Sequence, residues 1–266
     1  MVSCASSSDG TSVAFETLGS GSPALVFVHG WSCDRSYWAA QIEPLSAHAR
    51  VVVVDLAGHG DSESSRRDFT IESFGEDVAA VIRALDLESV VLVGHSMGGD
   101  VILEAAQRDR DRVRGLVWVD TYDQLDRFRT REQARERLAP FQADFVETTR
   151  AFVRGMFPPS ADPALVERVV TDMSSAPPRV ALSALDAALN YGRGVPERLK
   201  QLGLPLVAID PGSSSTDVSS LRRHGVEVVL IPGVGHFPMM EAPQEFNDSL
   251  LEVLGKFGSM PGSRAQ

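Results

Sequence analysis

Residues 90–99 have the sequence VVLVGHSMGG, in which an apolar run at 90–94 leads into a glycine-rich turn around Ser96. The run is β-branched and does not alternate with polar residues, which predicts a parallel strand covered on both faces. The residues that follow, 97–108, predict a helix. A G-x-S-x-G turn between a strand and a helix is typical of a nucleophile elbow, in which small neighbours let the backbone pass close to itself. Ser96 is therefore the candidate nucleophile.

Further apolar runs along the chain have the composition of buried strands. They lie at 25–29, 51–55, 116–120, 206–210 and 226–231. Amphipathic stretches at 71–85 and 243–257 alternate with these runs, and each places its apolar side chains on one helical face. Thr70 precedes the first of these helices and is a candidate N-cap. The alternation of strands and helices predicts a mainly parallel, doubly wound α/β sheet.

Residues 121–200 interrupt this alternation. They contain no convincing strand pattern, and their prolines stand at 158, 159, 163, 177 and 178. The pattern predicts three or four helices inserted between two strands of the sheet. Mixed charges of this kind are typical of solvated helix faces rather than of a nucleic-acid surface. We expect a core domain over 1–120 and 201–266 and a helical insertion over 121–200.

The composition of the chain limits its partners. The formal net charge of the 266 residues is −11, which argues against nucleic acid or an anionic membrane as the main partner. No apolar run approaches the roughly 20 residues of a membrane helix. The start, MVSCASSSDG, lacks the features of a signal peptide, so we expect a cytoplasmic protein or one whose leader was removed. No cysteines or histidines have zinc-site spacing, and the sequence implies no metal or organic cofactor.

His236 is the candidate base. It stands in the loop GVGHF at 233–237, directly after the predicted strand at 226–231. Ligands of open α/β sheets bind at the carboxyl ends of the strands, so this loop can bring the imidazole over the elbow. The other five histidines lie within tight turns or in polar or structural connections, where they make poorer bases.

The turn HGW at 29–31 ends the first central strand and supplies a candidate oxyanion donor. In a site of this kind, two backbone N–H groups stabilise the negative oxygen that develops on the substrate. The backbone N–H groups of Trp31 and of Met97, the residue after the nucleophile, are the candidates.

Four motifs in this order resemble the α/β-hydrolase superfamily, in particular its small esterases and related acyl hydrolases with a helical cap. They are HGW at 29–31, DLAGHGDS at 55–62, GHSMGG at 94–99 and GVGHF at 233–237. The resemblance extends from about residue 10 to residue 258. It implies the α/β-hydrolase fold, with 121–200 as the cap over the active site, and it assigns the nucleophile to Ser96 and the base to His236.

The resemblance also implies an activity, hydrolysis of a small-molecule ester or related acyl bond through an acyl-enzyme. The same scaffold supports lactone opening, C–C bond hydrolysis, acyl transfer and cofactor-free perhydrolysis. A non-catalytic ligand receptor is the alternative of another class. Phe152 and Met156 of the insertion are expected to form an apolar wall of the pocket.

The acid of the triad has three candidates, Asp120, Asp210 and Asp217. Many members of the superfamily carry it a few residues after the strand that is here 206–210, in a G-x-x-D turn. This chain has DPGSSSTD at 210–217, with a serine near the expected place. Other members carry the acid at the end of the preceding strand, which is here Asp120. We favour Asp120 because a buried strand anchors its backbone, whereas Asp217 also suits the N-cap of the next helix.

Overall fold

The computed structural model describes residues 1–212 and 216–257. The serine expected near the acid position falls within 213–215 and lies outside the described residues. So do residue 258, where the resemblance ends, and the rest of the C-terminal core segment to 266. Within the described ranges, no helix is long and apolar enough to cross a membrane.

The strands of the described chain form a single eight-stranded sheet. They are β1 (Ser3–Ser6), β2 (Ser12–Leu18), β3 (Ala24–Val28), β4 (Arg50–Val54), β5 (Val90–His95), β6 (Val113–Val119), β7 (Leu206–Pro211) and β8 (Val226–Ile231). Their order across the sheet is β1-β2-β4-β3-β5-β6-β7-β8. β1 pairs antiparallel with β2, and β2 pairs antiparallel with β4. All pairs from β4 to β8 are parallel, which confirms the predicted class of sheet.

Helices connect and cover these strands. They are α1 (Ala39–Ser46), α2 (Ile71–Ala84), α3 (Met97–Arg108), α4 (Arg131–Ala143), α5 (Phe145–Arg154), α6 (Pro163–Ser174), α7 (Pro178–Tyr191), α8 (Val195–Leu202), α9 (Val218–Arg223), α10 (Pro238–Glu241) and α11 (Pro243–Lys256). Thr70 caps α2, as its position predicts, because its hydroxyl accepts a hydrogen bond from the Ser73 N–H at 3.1 Å.

The central strands carry the core. Every residue of β3 and of β5 is buried, which is why these strands are apolar throughout rather than alternating. Each fully buried valine or leucine contributes about 1.5–3 kcal/mol to the free energy of folding. Because the strands from β3 to β8 are parallel, their carboxyl ends meet at one edge of the sheet. The predicted site residues follow the ends of β3, β5, β6 and β8.

The segment between β6 and β7 is fully described and contains five helices, α4 to α8, which is one more than the upper figure of the predicted three or four. The additional helix, α8, ends at Leu202 and contacts α3, so it packs on the sheet layer. The sequence did not separate α8 from α7 because only a short turn, Gly192–Gly194, lies between them.

The inserted helices rest on the turn after β3. Trp31 Nε1–H donates a hydrogen bond to the Ala181 carbonyl of α7 at 2.7 Å. The Tyr37 hydroxyl donates to Asp172 Oδ2 of α6, also at 2.7 Å. These two polar contacts place the insertion over the carboxyl edge of the sheet, where the candidate site lies.

Candidate active site

Ser96 occupies a strained turn between β5 and α3. Its backbone has φ 51° and ψ −120°, a conformation that typically costs about 1–3 kcal/mol outside glycine. The Ser96 N–H donates to the Val119 carbonyl at 2.9 Å, which holds the turn against β6. A Cβ at Gly98 would come within 2.5 Å of the Val28 carbonyl oxygen, and one at Gly94 would overlap the Gly98 carbonyl. Both flanking glycines are therefore required by the close approach of α3 to the sheet.

Both candidate oxyanion donors lie at the cavity that contains Ser96. Met97 is the first residue of α3, so its backbone N–H has no partner within the helix and lies at the positive end of the helix dipole. Trp31 follows Gly30 in the turn after β3. A Cβ at Gly30 would come within 2.8 Å of His95 Nδ1, so the glycine lets this turn lie against the elbow.

His236 lies in the loop after β8 and lines the same cavity as Ser96. Its Nδ1 is 2.6 Å from Asp120 Oδ2. With Nδ1–H donating to the carboxylate, Nε2 is the ring nitrogen that can accept a proton. Of the three candidate acids, Asp120 is the one whose carboxylate contacts His236 in the described part of the chain.

A second strand end holds Asp120 in place. Asp120 directly follows β6 and adopts a left-handed backbone with φ 44°. Its N–H points to two acceptors on β7, the Ile209 carbonyl at 3.3 Å and Asp210 Oδ1 at 3.2 Å. Asp217 has another partner, because its Oδ1 accepts from the Ser220 N–H at 2.9 Å and caps α9. Asp210 thus contacts the backbone of Asp120, and Asp217 caps α9, and neither contact requires a catalytic role for the residue.

Asp210 is buried with an unsatisfied carboxyl oxygen. The residue is 1% exposed, and its Oδ2 has no hydrogen-bond partner among the described residues. Burial, and secondarily the neighbouring charge of Asp120, raises the pKa of Asp210 from 3.8 to about 8. Between these two pH values the folded protein holds a proton that the unfolded chain has released. A rise in pH therefore favours unfolding across this window.

The contribution of Asp210 to the free energy of unfolding should consequently fall as the pH rises from 5 to 8, with a slope of at most about 1.4 kcal/mol per pH unit. Burial lowers the pKa of His29, His59 and His95, and these groups act in the opposite direction below about pH 6.5. The difference between wild type and Asp210→Asn isolates the Asp210 contribution, because the amide does not titrate. Urea unfolding at several pH values measures both slopes. Asp217→Asn, at an exposed position, is the control and should keep the wild-type slope. Parallel curves for wild type and Asp210→Asn would show that the buried carboxyl is already charged.

Two residues that sequence reasoning did not assign hold the His236 loop. His95 Nε2–H donates to the His236 carbonyl at 2.8 Å, and burial lowers the pKa of His95 well below 6.5, so its ring is neutral. The Glu241 carboxylate accepts from the Gly235 N–H at 2.9 Å and the Phe237 N–H at 3.0 Å. These contacts brace the loop on both sides of the imidazole. The sequence offers no spacing rule for the His95 contact, which joins residues 141 positions apart. Glu241 contacts the loop from the last position of α10.

The cavity above Ser96 has a volume of about 1520 Å³. Its floor is formed by the sheet edge with Ser96, Asp120 and His236. The inserted helices and their connections supply apolar side chains, as ligand pockets usually require. These include Phe128, Phe152, Met156, Phe157, Met173, Leu185 and Leu189.

Comparisons with known proteins identify similar sequences along nearly the whole chain. The sequence profile described as the alpha/beta hydrolase family matches residues 25–249. The dihydrolipoyllysine-residue acetyltransferase component of the acetoin cleaving system from Pseudomonas putida is 29% identical over 265 residues, which cover 91% of this chain and 66% of that protein. This chain thus spans slightly less than two thirds of that relative.

Solved structures show the same architecture. A thermophilic esterase from Thermogutta terrifontis, with malate bound, is 26% identical with a TM-score of 0.84, over 97% of this chain and 99% of that chain. A hydrolase from Pseudomonas aeruginosa is 27% identical with a TM-score of 0.81, over 96% and 98% of the two chains. Both likenesses extend over nearly the whole of this chain.

Proposed function

The chain belongs to the alpha/beta hydrolase family, and from that membership we propose that it is a serine hydrolase cleaving a carboxylic ester, or a related acyl bond, of a small molecule. The observation that carries the proposal is the 2.6 Å contact between His236 and Asp120 in the cavity that also contains Ser96 in its strained turn. A nucleophile, a base and an acid that orients the base are the groups that acyl transfer through serine requires.

The proposed reaction begins when Ser96 Oγ attacks the ester carbonyl carbon while His236 Nε2 accepts the hydroxyl proton. The Trp31 and Met97 N–H groups donate to the resulting oxyanion, and loss of one such donor typically costs about 3–4 kcal/mol of transition-state stabilisation. The tetrahedral intermediate collapses as His236 returns the proton to the leaving alcohol. Water, deprotonated by His236, then attacks the acyl-enzyme and releases the carboxylic acid. Asp120 stabilises the imidazolium in both steps.

We also propose that residues 121–200 act as the cap that shapes the acyl pocket. Phe152 contacts Trp31, with ring centroids 6.2 Å apart, and so reaches the oxyanion turn. The Met156 carbonyl accepts from the His236 N–H at 3.0 Å and so reaches the base loop. A cap that touches both loops can position an acyl chain against the nucleophile.

A substrate panel tests the proposal. It contains p-nitrophenyl esters from acetate to laurate, a series of lactones and a set of β-diketones. We expect the esters to be hydrolysed, with an initial burst of p-nitrophenol that approaches one equivalent of enzyme where deacylation limits turnover. Turnover of lactones or diketones without ester hydrolysis would assign the scaffold another reaction. Ligand binding without any turnover would indicate a receptor.

The same panel, measured on Met156→Ala, tests the cap. The shortened side chain should shift the preferred acyl group to a longer chain, with a change in relative kcat/KM of about tenfold, because a methylene in an apolar pocket contributes about 1–3 kcal/mol. Val146→Ala, at an exposed position on α5, is the matched control and should keep the wild-type profile. Identical profiles for all three proteins would exclude a role for Met156 in chain-length preference.

A further inference from the structure

Arginines surround the entrance of the cavity that contains Ser96. They are Arg127, Arg129, Arg137 and Arg193, and we call them the arginine rim. They come from the connection after β6, from α4 and from the turn between α7 and α8. Three separate segments thus bring positive charge to one opening, in a chain whose formal net charge is −11.

The arginine rim is free of carboxylate partners. Across residues 1–212 and 216–257, none of its guanidinium groups lies within 4.0 Å of a carboxylate oxygen. Elsewhere in the insertion, Arg150 pairs with Glu147 at 2.7 Å and Arg154 pairs with Glu167 at 3.1 Å. No carboxylate among the described residues pairs with Arg131, Arg135 or Arg168. The rim differs from these three arginines because its four members line one cavity.

Neutral contacts orient two members of the rim. Arg193 Nε–H donates to the Arg129 carbonyl at 2.9 Å, which leaves the terminal NH₂ groups of Arg193 available. The Arg137 guanidinium lies 5.0 Å above the ring of Phe152. The Phe152 ring in turn contacts the ring of Trp31, so Phe152 lies between Arg137 and the oxyanion turn.

Four carboxyl groups also line the cavity, and two of them already have partners. Asp120 accepts from His236, and Asp100 accepts from the Tyr122 hydroxyl at 2.6 Å. The remaining two, Asp123 and Glu136, are exposed at the entrance. Among the described residues that line the cavity, the exposed charged groups are four guanidinium groups and two carboxylates, so the entrance carries a net positive charge. The carboxyl groups of Asp100 and Asp120 are less exposed.

We propose that the substrate carries an anionic group, a carboxylate, besides the bond that is cleaved, and that the arginine rim binds it. This inference rests on the proposed function, which supplies the cleaved ester. A guanidinium is always charged, and its planar fork matches a carboxylate with two parallel hydrogen bonds. An anion held at the rim also relieves the mutual repulsion of the clustered arginines and extends the substrate from the rim toward Ser96.

Isosteric pairs of esters test the inference. The acyl-side pair is p-nitrophenyl hemiglutarate and p-nitrophenyl glutaramate, which differ only in carboxylate against amide. The alcohol-side pair is 4-acetoxybenzoate and 4-acetoxybenzamide. We expect the wild type to prefer the anionic member of at least one pair by about tenfold in kcat/KM, through a lower KM. The pair that shows the preference identifies the side of the ester on which the anion lies.

The measured quantity is the kcat/KM of the anionic ester divided by that of its neutral partner. The double variant Arg137→Gln/Arg193→Gln should reduce this ratio to about one, and Arg137→Glu/Arg193→Glu should bring it below one. Higher ionic strength should reduce the wild-type ratio as well, because the rim is exposed. The matched control is Arg150→Gln/Arg154→Gln, which removes two paired cap arginines outside the cavity and should leave the ratio unchanged.

The outcomes separate this inference from the proposed function. Ester hydrolysis that depends on Ser96 but shows no anionic preference, or a preference that the rim variants leave intact, overturns the inference alone. If the wild-type protein hydrolyses none of the esters, the proposed function is overturned. Calorimetric titration with glutarate then still tests the rim, since the wild type should bind it about tenfold more tightly than the rim double variant, and equal affinity overturns the inference.

Discussion

Replacing Ser96 by alanine should abolish ester turnover and leave the fold intact. The variant lacks the oxygen that forms the acyl-enzyme, so kcat should fall by about a million-fold, as expected when the nucleophile of a serine triad is removed. The free energy of unfolding should stay within about 1 kcal/mol of the wild type, because alanine adopts the backbone of the turn no less readily than serine and leaves no large void. Stopped assays with the best ester of the panel measure kcat, and urea unfolding measures stability.

A fluorophosphonate should add covalently to Ser96 of the wild type, because the activated hydroxyl attacks phosphorus as it attacks an acyl carbon. Peptide mass mapping locates the adduct. Ser219→Ala, at an exposed serine on α9, should label and turn over like the wild type. A label on another serine, or turnover near the wild-type rate in Ser96→Ala, would contradict the assignment of the nucleophile.

Most of the parallel part of the sheet could be predicted because its central strands are buried on both faces and are mainly apolar. The runs at 25–29, 51–55 and 206–210 each match a strand to within one residue at each end. β1 and β2 were missed for the opposite reason. They form an antiparallel edge whose residues are partly exposed, so SCAS and SVAFETL carry no strong apolar pattern.

In the candidate site, features that depend on neighbouring residues could be predicted from the sequence, and a contact between distant residues could not. The turn around Ser96 could be predicted because the two glycines that it requires, Gly94 and Gly98, lie within two residues of Ser96. The partner of His236 depends on a contact across 116 positions of sequence, which composition and spacing do not encode. The sequence therefore left three aspartates open, and the roles of the site residues stay predictions for mutagenesis.

The Asp120→Asn variant should lose about four orders of magnitude in kcat. Asparagine can present its NH₂ group to His236 Nδ1, which stabilises the tautomer whose Nε2 carries a proton and cannot act as a base. The missing carboxylate also withdraws the charge that stabilises the imidazolium in both proposed steps. The 2.6 Å contact in the described structure makes Asp120 the residue for which this penalty is expected.

Asp210→Asn and Asp217→Asn are the matched controls, each with a reason to retain most of the rate. The Asp210→Asn amide oxygen can still accept from the Asp120 N–H, and the replaced carboxyl is neutral at pH 7 because burial raises its pKa to about 8. Asparagine at 217 remains a good N-cap for α9. Each variant is checked for folding by circular dichroism before kcat is measured on one ester. If Asp120→Asn retains most of the wild-type rate while Asp210→Asn or Asp217→Asn collapses, the acid is another aspartate and the His236–Asp120 contact is structural.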